Sequence, residues 1–304
     1  MKLDVKIRSR KKKLFPPVFD FVLYTLMTLL TASFLYPFIY VLSVSVSDSY
    51  AVAQNSVRLL PIGFDIKAYQ HVLRDDTIFR AYMNTVLYSA IGTIITLVLT
   101  CLAAYPMAMK NLYGKPVIIV FFAIPMFFGG GLIPFYLLIR DLHILNTIWA
   151  IVVPGAVGMW NIVIVRTYFQ TIPESIQESA HMDGASHWRV LLQLIIPLSK
   201  PVIAVMIMFR AVGLWNEFFA PLMFLSGTEK MPLQVVLRTL IVSRNTSQQS
   251  IMTNTAASTE VDPFGLRQKI KMAAVIVSIG PIIAVYPFLQ KYFVKGVMIG
   301  AIKA

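Results

Sequence analysis

Two ionisable side chains interrupt an otherwise apolar stretch of the sequence, residues 201–225. Arg210 and Glu217 are seven residues apart, a spacing that on a continuous helix places both on one face, about 10 Å from each other along the axis. Ionisable groups at membrane depth are costly, so they face a bundle interior or a watery path. Glu217 follows Trp215 and Asn216, which combine an aromatic face with hydrogen-bonding groups, as a ligand path requires. Two hypotheses stay open for these residues: a substrate path, or a structural cluster that joins two subunits. A carboxylate on a neighbouring helix would satisfy Arg210.

A polar interval, residues 171–197, has the signals of two short helices joined by a hinge. Thr171 and Glu174 have the spacing of a capping box, and the proline before Glu174 fits a first helical turn. Asp183-Gly184 is a turn dipeptide, because glycine takes the left-handed conformation that ends a helix. Beyond this turn, four apolar residues recur at i, i+3, i+4 and i+7 and predict an amphipathic helix lying beside its neighbours: Trp188, Leu191, Leu192 and Ile195.

The residue patterns of nucleotide binding, metal binding and nucleophilic catalysis are missing from the sequence. No G-x-x-x-x-G-K-[ST] occurs, so we expect no P-loop in this chain. No H-E-x-x-H occurs among the four histidines, His71, His143, His181 and His187, so we expect no metal site. The single cysteine, Cys101, lies within an apolar run and is expected to be a buried structural thiol. The sequence therefore predicts a protein that is not an enzyme.

Composition predicts a polytopic membrane protein. The chain has 304 residues, of which 57% are hydrophobic and 13% are charged, and its mean hydropathy is +0.71, values far from those of soluble domains. The net charge of +13 is concentrated in part at the start, where residues 1–16 contain seven Lys and Arg and one acid. We interpret this segment as a cytoplasmic tail that faces the membrane, rather than as a nucleic-acid site.

Residues 17–304 are predicted to form a single all-α transmembrane domain with six spans. These spans lie at about 18–46, 81–106, 117–139, 146–167, 201–225 and 272–292. Six spans that start in the cytoplasm place both termini inside, and the charge bias follows the positive-inside rule. This topology puts 171–197 in the cytoplasm and the loops 47–80 and 226–271 outside. The long loop 226–271 is either a docking surface or a flexible linker.

The polar interval resembles the EAA signature of the permeases of ABC importers. The matching residues, at the spacing of that signature, are Glu178-Ser179-Ala180, Gly184 and Leu194-Ile195-Ile196-Pro197. In that family this loop is the coupling helix, which docks into a groove of a cytoplasmic ATPase. The resemblance therefore implies an ATPase-coupling role for seven residues: Glu178, Ser179, Ala180, Asp183, Gly184, Ala185 and Pro197.

Other stretches resemble permeases of the maltose-transporter type, within the carbohydrate uptake group. They are Asn84-Thr85, residues 103–108, Arg166 to Gln170, Trp215-Asn216-Glu217-Phe218 and residues 290–297. Within this group the sequence most resembles permeases that import complex or uronate-containing oligosaccharides in Gram-positive bacteria. The resemblance implies the transmembrane domain of a type I ABC importer in the plasma membrane, forming half of an oligosaccharide pathway. It implies a second permease, two ATPase subunits that bind ATP and Mg, and an extracellular solute-binding protein, with no cofactor on this chain.

Three alternatives stand beside this prediction. An ABC permease for a non-sugar solute would share the coupling loop. A secondary transporter or channel would explain six spans and intramembrane charges, but it gives no reason for a cytoplasmic loop centred on Gly184. A membrane-embedded enzyme would explain Arg210 and Glu217, but it lacks a nucleophile or metal constellation.

Overall fold

The structure is a computed structural model that describes residues 17–242 and 263–301, and all the regular elements within these residues are helical. The α-helices are α1 (Pro17–Val46), α2 (Ser49–Ala53), α3 (Lys67–Arg74), α4 (Asp76–Ala108), α5 (Lys115–Phe127), α6 (Leu132–Asp141), α7 (Trp149–Val152), α8 (Met159–Phe169), α9 (Glu174–Met182), α10 (His187–Val190), α11 (Ile196–Leu198), α12 (Lys200–Trp215), α13 (Phe219–Phe224), α14 (Leu233–Val242) and α15 (Pro263–Ala301). A π-helical turn, Leu191–Ile195, joins α10 to α11, and a 3₁₀ turn, Thr228–Lys230, precedes α14.

The described residues form two compact units. The first comprises those up to residue 68 together with 263–273, and the second comprises 69–242 together with 274–301. The basic tail 1–16 and the middle of the loop 226–271 lie outside the described residues.

In the first unit, the chain that follows α2 folds back onto the end of α1. Ser43 Oγ donates to the carbonyl of Leu59 at 2.7 Å, and the backbone N–H of Asp48 donates to the carbonyl of Ile62 at 2.8 Å. Asp48 also caps α2, because its carboxylate accepts from the N–H of Tyr50 at 2.9 Å. An apolar cluster fills the interior: Val44, Ala51, Val52 and Val57.

A buried ion pair also stabilises the first unit. The Lys269 side chain is fully buried, and its Nζ lies 2.8 Å from Oδ2 of Asp65. Burial raises the pKa of the Asp65 carboxyl, but the hydrogen bond from Lys269 and the nearby positive charges outweigh this effect and leave that pKa below its ordinary value. The start of α15 approaches α2 very closely, since a Cβ on Gly265 would lie 1.9 Å from the carbonyl oxygen of Ser49. Only glycine fits at position 265.

Helix α4 is the centre of the second unit and packs against α8 and α12. Its start is fixed by Asp75, whose Oδ1 accepts from the N–H groups of Thr77 and Ile78. One apolar cluster combines residues of α4, α8, the Leu191–Ile195 turn and α12, with Cys101, Ala104, Tyr105, Met107, Ile162, Val165, Phe169, Val190, Leu191, Ile195, Val202 and Met206 buried. As expected, Cys101 is a buried thiol. Gly92 allows α12 to approach, because a Cβ there would lie 2.5 Å from Cδ1 of Leu214.

Three helices of the described part are long and apolar enough to cross a membrane, Val18–Val46, Asp76–Ala108 and Gly265–Val285. Two bent pairs raise this number to five if each pair is one span. The first pair, α5 with α6, bends by 117°, and the second, His187–Leu198 with Lys200–Trp215, bends by 82°. The count of six spans stays a prediction.

The structure interrupts three of the predicted spans. Residues 117–139 break at a run of glycines that ends at Gly131, where φ is +82°. Residues 146–167 divide into α7 and α8 around Gly155, where φ is +70°. Residues 201–225 divide into α12 and α13. A count of charge-free residues detects none of these breaks, because glycine, proline and a single polar residue barely change the hydropathy of a window.

Candidate functional site

The interval 171–197 forms a helical hairpin, which we call the coupling hairpin after its predicted role. Its first helix, α9, ends at Met182, and Gly184 has φ +80°. The N–H of Gly184 donates to the carbonyl of His181 at 3.0 Å, and the N–H of Ala185 donates to that of Ala180 at 2.9 Å. This pair of bonds is the Schellman motif. The predicted helix end at Asp183-Gly184 is therefore confirmed.

The predicted start of α9 is wrong in its details. Thr171 Oγ donates to the carbonyl of Tyr168 at 2.7 Å and does not cap α9. Pro173 is the cap residue and offers no side-chain hydrogen bond. Glu174 instead forms an ion pair with Lys110, at 2.5 Å between Oε2 and Nζ. The capping box fails because both of its side chains have other partners.

The second arm of the hairpin is helical from His187 to Leu198, as expected, but it buries a different set of residues. Trp188 and Leu192 were predicted to lie on the apolar face, and they are 63% and 58% exposed. Val190, Leu191 and Ile195 are buried. Two of the four predicted residues, Leu191 and Ile195, are thus on the buried face, and a π-helical turn, Leu191–Ile195, widens the helix between them.

The hairpin presents one free face and one packed face. Among the predicted coupling residues, Glu178, Ser179, Asp183, Gly184 and Pro197 are exposed, and Ala180 and Ala185 are half-buried against the apolar cluster. Met182, at the tip, is 88% exposed. A second protein could therefore contact the outer face without disturbing the packing that holds the inner face.

Side-chain contacts stabilise the tip and the base of the hairpin. At the tip, the His181 and His187 rings lie edge to face with their centroids 4.6 Å apart, and His181 Nδ1 lies 2.9 Å from the carbonyl oxygen of Ala185. At the base, the hydrogen bond to Glu174, together with the charge of Glu174 and then of Glu178, raises the pKa of Lys110. A cleft of about 180 Å³ separates α9 from the end of α4 and is lined by Tyr105, Lys110, Phe169, Ile172, Glu174 and Gln177, among others.

Residues Arg210 and Glu217 do not share a helix face. Helix α12 ends at Trp215, so the seven-residue spacing crosses a helix end. Arg210 donates to the carbonyl of Pro154 at 3.4 Å, and no ion pair of Arg210 is present among the described residues. Arg210 therefore has a backbone partner at the break that contains Pro154, and its pairing with a carboxylate on a neighbouring helix stays a prediction.

The other three predicted path residues surround the break between α12 and α13. Trp215 is buried, donates from Nε1 to the carbonyl of Ser278 at 3.1 Å and packs edge to face on Tyr82. Glu217 Oε1 accepts from the N–H groups of Phe219 and Ala220, at 3.0 and 3.2 Å, and so caps α13. Asn216 is exposed, and its amide donates to the carbonyl of residue 212 in its own helix. All four residues thus have structural partners, and their role in a path stays a prediction.

Sequence reasoning missed Lys110, although Glu174 lies within the interval that it singled out. The pair joins residues that are 64 positions apart, so no local sequence pattern predicts it. Within the residues that the structure describes, no group of three or more His, Cys, Asp and Glu side chains could hold a metal ion.

Comparisons with known proteins give one consistent result. Residues 96–299 match the family described as "Binding-protein-dependent transport system inner membrane component". The chain is 37% identical over 267 residues to Protein LplC of Bacillus subtilis (strain 168), covering 88% of each chain. It is 31% identical over 286 residues to the polygalacturonan/rhamnogalacturonan transport system permease protein YtcP of the same organism, covering 94% of this chain and 98% of that one.

A solved structure is similar to the whole fold. The crystal structure of a bacterial ABC transporter involved in the import of the acidic polysaccharide alginate contains a chain that matches with a TM-score of 0.86 at 33% identity. The match covers 93% of this chain and 100% of that one.

Proposed function

This chain belongs to the family of inner membrane components of binding-protein-dependent transport systems, and from this premise we propose that it carries acidic oligosaccharides through half of an ABC importer's pathway. The family predicted from the EAA-like residues is confirmed, as is the all-α, multi-pass membrane fold. The chain is a membrane-embedded permease that works with a solute-binding protein.

The one observation that carries the coupling proposal is the hairpin itself, with a free outer face above a packed inner face. Glu178 and Ser179 on α9, with Asp183 and Gly184 at its end, form a rigid exposed edge. When two ATPase subunits close on ATP, they displace this edge, and the buried residues beneath it pass the displacement to the spans. The internal path then turns from cytoplasm-facing to outside-facing and receives cargo from the docked binding protein.

The energy for this cycle comes from another polypeptide. The sequence has no P-loop, so ATP and Mg bind to the ATPase subunits, and this chain catalyses no reaction itself. The complete importer contains a second, homologous permease, two cytoplasmic ATPase subunits and an extracellular binding protein. The hairpin must then lie on the cytoplasmic side, where the predicted topology places it.

Two relatives support an acidic oligosaccharide as the cargo. One is a permease for polygalacturonan and rhamnogalacturonan at 31% identity, and the other belongs to an importer of the acidic polysaccharide alginate at 33% identity. Both names refer to polymers with carboxylate-bearing sugars. Transport of neutral oligosaccharides alone would contradict this part of the proposal.

The break at residues 216–218 is our candidate for the substrate path. Irregular backbone at membrane depth is tolerated where it is buried in protein or lines a watery cavity. Asn216 and Phe218 are exposed there, and they offer an amide and an aromatic face beside the cap formed by Glu217. Trp215 and Arg210, through their bonds to Ser278 and Pro154, hold the walls on either side.

Transport by the reconstituted importer tests the function. The permease pair, with its ATPases, is placed in proteoliposomes, and ATP-dependent uptake of oligogalacturonates is compared with uptake of maltodextrins in the presence of the cognate binding protein. We expect uptake of the acidic sugars only, and we expect Glu178→Lys to abolish it. Asp141→Lys is the control, since Asp141 is an exposed acid outside the hairpin. Uptake by Glu178→Lys at the wild-type rate would refute the coupling role.

A further inference from the structure

Helix α4 contacts both of the segments that are predicted to meet other proteins. It runs from Asp76 to Ala108 without interruption, over 33 residues, and so extends about 50 Å at 1.5 Å per residue. Its beginning lies on the predicted extracellular side and its end on the predicted cytoplasmic side. The side chains at these two ends make specific bonds to distant parts of the chain.

At the extracellular end, three side chains of α4 hold the backbone of the segment 228–233. Asn84 Nδ2 donates to two carbonyl groups within 229–231, at 2.7 and 3.2 Å. The Tyr88 hydroxyl donates to a third, at 2.9 Å. The hydroxyl of Thr85, which is buried, accepts from the N–H of residue 233 at 2.8 Å. The described start of the outer loop is therefore bonded to α4.

At the cytoplasmic end, α4 holds the coupling hairpin. Lys110, two residues beyond the helix, pairs with Glu174 at the start of α9. Tyr105 and Met107, in the last turn of α4, belong to the same buried cluster as Leu191 in the second arm of the hairpin. Both arms are thus attached to the end of one helix.

We propose that α4 carries the signal of binding-protein docking to the ATPase, with Asn84 and Lys110 as the two attachment points. The proposal rests on the proposed function, because it requires a partner at each end. Docking that shifts the segment 228–233 moves α4 through the bonds of Asn84, Thr85 and Tyr88. The other end of α4 then shifts α9 through Lys110. Because equilibrium coupling is reciprocal, the ATPase state changes the affinity of the outer face for the binding protein by the same factor.

This arrangement makes a quantitative prediction that ordinary packing does not. Substitutions at sites far apart normally have additive effects, and Asn84 and Lys110 are about 40 Å apart along the helix axis. Two attachments in series behave differently, because detaching one end already stops transmission. The effects of Asn84→Ala and Lys110→Ala on coupling should therefore be strongly non-additive.

The test measures ATPase activity of the complete importer in nanodiscs, with and without its binding protein loaded with oligosaccharides from polygalacturonan. The ratio of stimulated to unstimulated activity is the readout. We expect Lys110→Ala to bring this ratio close to one, because it detaches the cytoplasmic end of α4 from α9. Asn84→Ala should do the same at the other end, and the double variant should match either single variant.

A matched control removes an equivalent ion pair that lies outside these attachments. Arg140 pairs with Asp141 at 3.0 Å on the surface, and Arg140→Ala should keep the wild-type ratio. Tyr88→Phe offers a milder change at the outer end if Asn84→Ala fails to assemble, since it deletes one hydroxyl and keeps the ring. Tyr88→Phe is then combined with Lys110→Ala, and the effects of the single and double variants are compared in the same way.

The possible results distinguish a failure of the role of α4 from a failure of the proposed transport function. If loaded binding protein fails to stimulate the ATPase activity of the wild-type complex, both the proposed function and the role of α4 are overturned. The role of α4 alone is overturned if the wild-type complex is stimulated and the effects of the two substitutions are additive. It is also overturned if neither substitution has an effect. An equal loss in Arg140→Ala would also overturn it, because the loss would then be unrelated to the attachments of α4.

Discussion

Replacing Gly184 by leucine tests whether a second protein occupies the space beside the hairpin tip. Gly184 has φ +80°, and a Cβ there would meet no atom within 4 Å. In the isolated chain the only cost is backbone strain, about 1–2 kcal/mol for a left-handed non-glycine residue. If the ATPase fills that space, the added side chain must also be accommodated in the interface, at a further cost of about 1–3 kcal/mol. ATPase affinity should then fall about 5- to 150-fold beyond the effect of strain.

Gly114 provides a control with nearly the same local geometry. Its φ is +71°, a Cβ there would also meet nothing within 4 Å, and it lies in another predicted cytoplasmic connection. Gly114→Leu and Gly184→Leu should lower the thermal midpoint of the purified permease similarly. Binding of the ATPase to the permease pair in nanodiscs, measured by titration, should weaken only for Gly184→Leu. Equal affinities for both variants would refute the docking of the ATPase on this tip.

Two further predictions concern stability, each read as a thermal unfolding midpoint. Thr85→Val should destabilise by about 1–3 kcal/mol, because it leaves the buried N–H of Leu233 without an acceptor, whereas Thr96→Val should be neutral or stabilising, since the buried Thr96 hydroxyl has no partner among the described residues. A loss as large at position 96 as at position 85 would contradict this reasoning. Asp65→Ala should cost about 3–5 kcal/mol, because it leaves the charge of Lys269 buried and unpaired. Since the pKa of Asp65 is lowered by folding, its contribution is present above the unfolded pKa of about 3.9 and is lost as pH falls through the lower folded value, so the midpoints of wild type and Asp65→Ala should converge only in strong acid. A difference between the two unfolding midpoints that stays constant down to pH 2 would contradict the predicted pH dependence.

Features set by neighbouring residues were predictable from the sequence. The end of α9 follows from Asp183-Gly184, because a positive φ favours glycine and the capping bonds are local. The apolar runs of α1 and α4 likewise predict long helices from composition alone. The coupling hairpin was thus located from its own residues.

Features that depend on distant residues were not predictable. The bond between Lys110 and Glu174 joins positions 64 apart, and that between Asp65 and Lys269 joins positions 204 apart. The helix break after Trp215 leaves Glu217 outside the helix that contains Arg210, so these two residues do not share the face that their spacing predicted. In each case tertiary contacts decide the partner, and a single sequence carries no record of which segments meet.

Accessibility of the hairpin tip tests the central claim most directly. In a Cys101→Ser background, Met182→Cys places the only thiol at a residue that is 88% exposed, and Leu60→Cys places one at a residue that is 77% exposed on the predicted extracellular side. A membrane-impermeant maleimide should label position 60 in right-side-out vesicles and position 182 only in inverted ones. Adding the ATPase subunits should protect position 182. Labelling of position 182 from outside, or labelling that the ATPase leaves unchanged, would contradict the account.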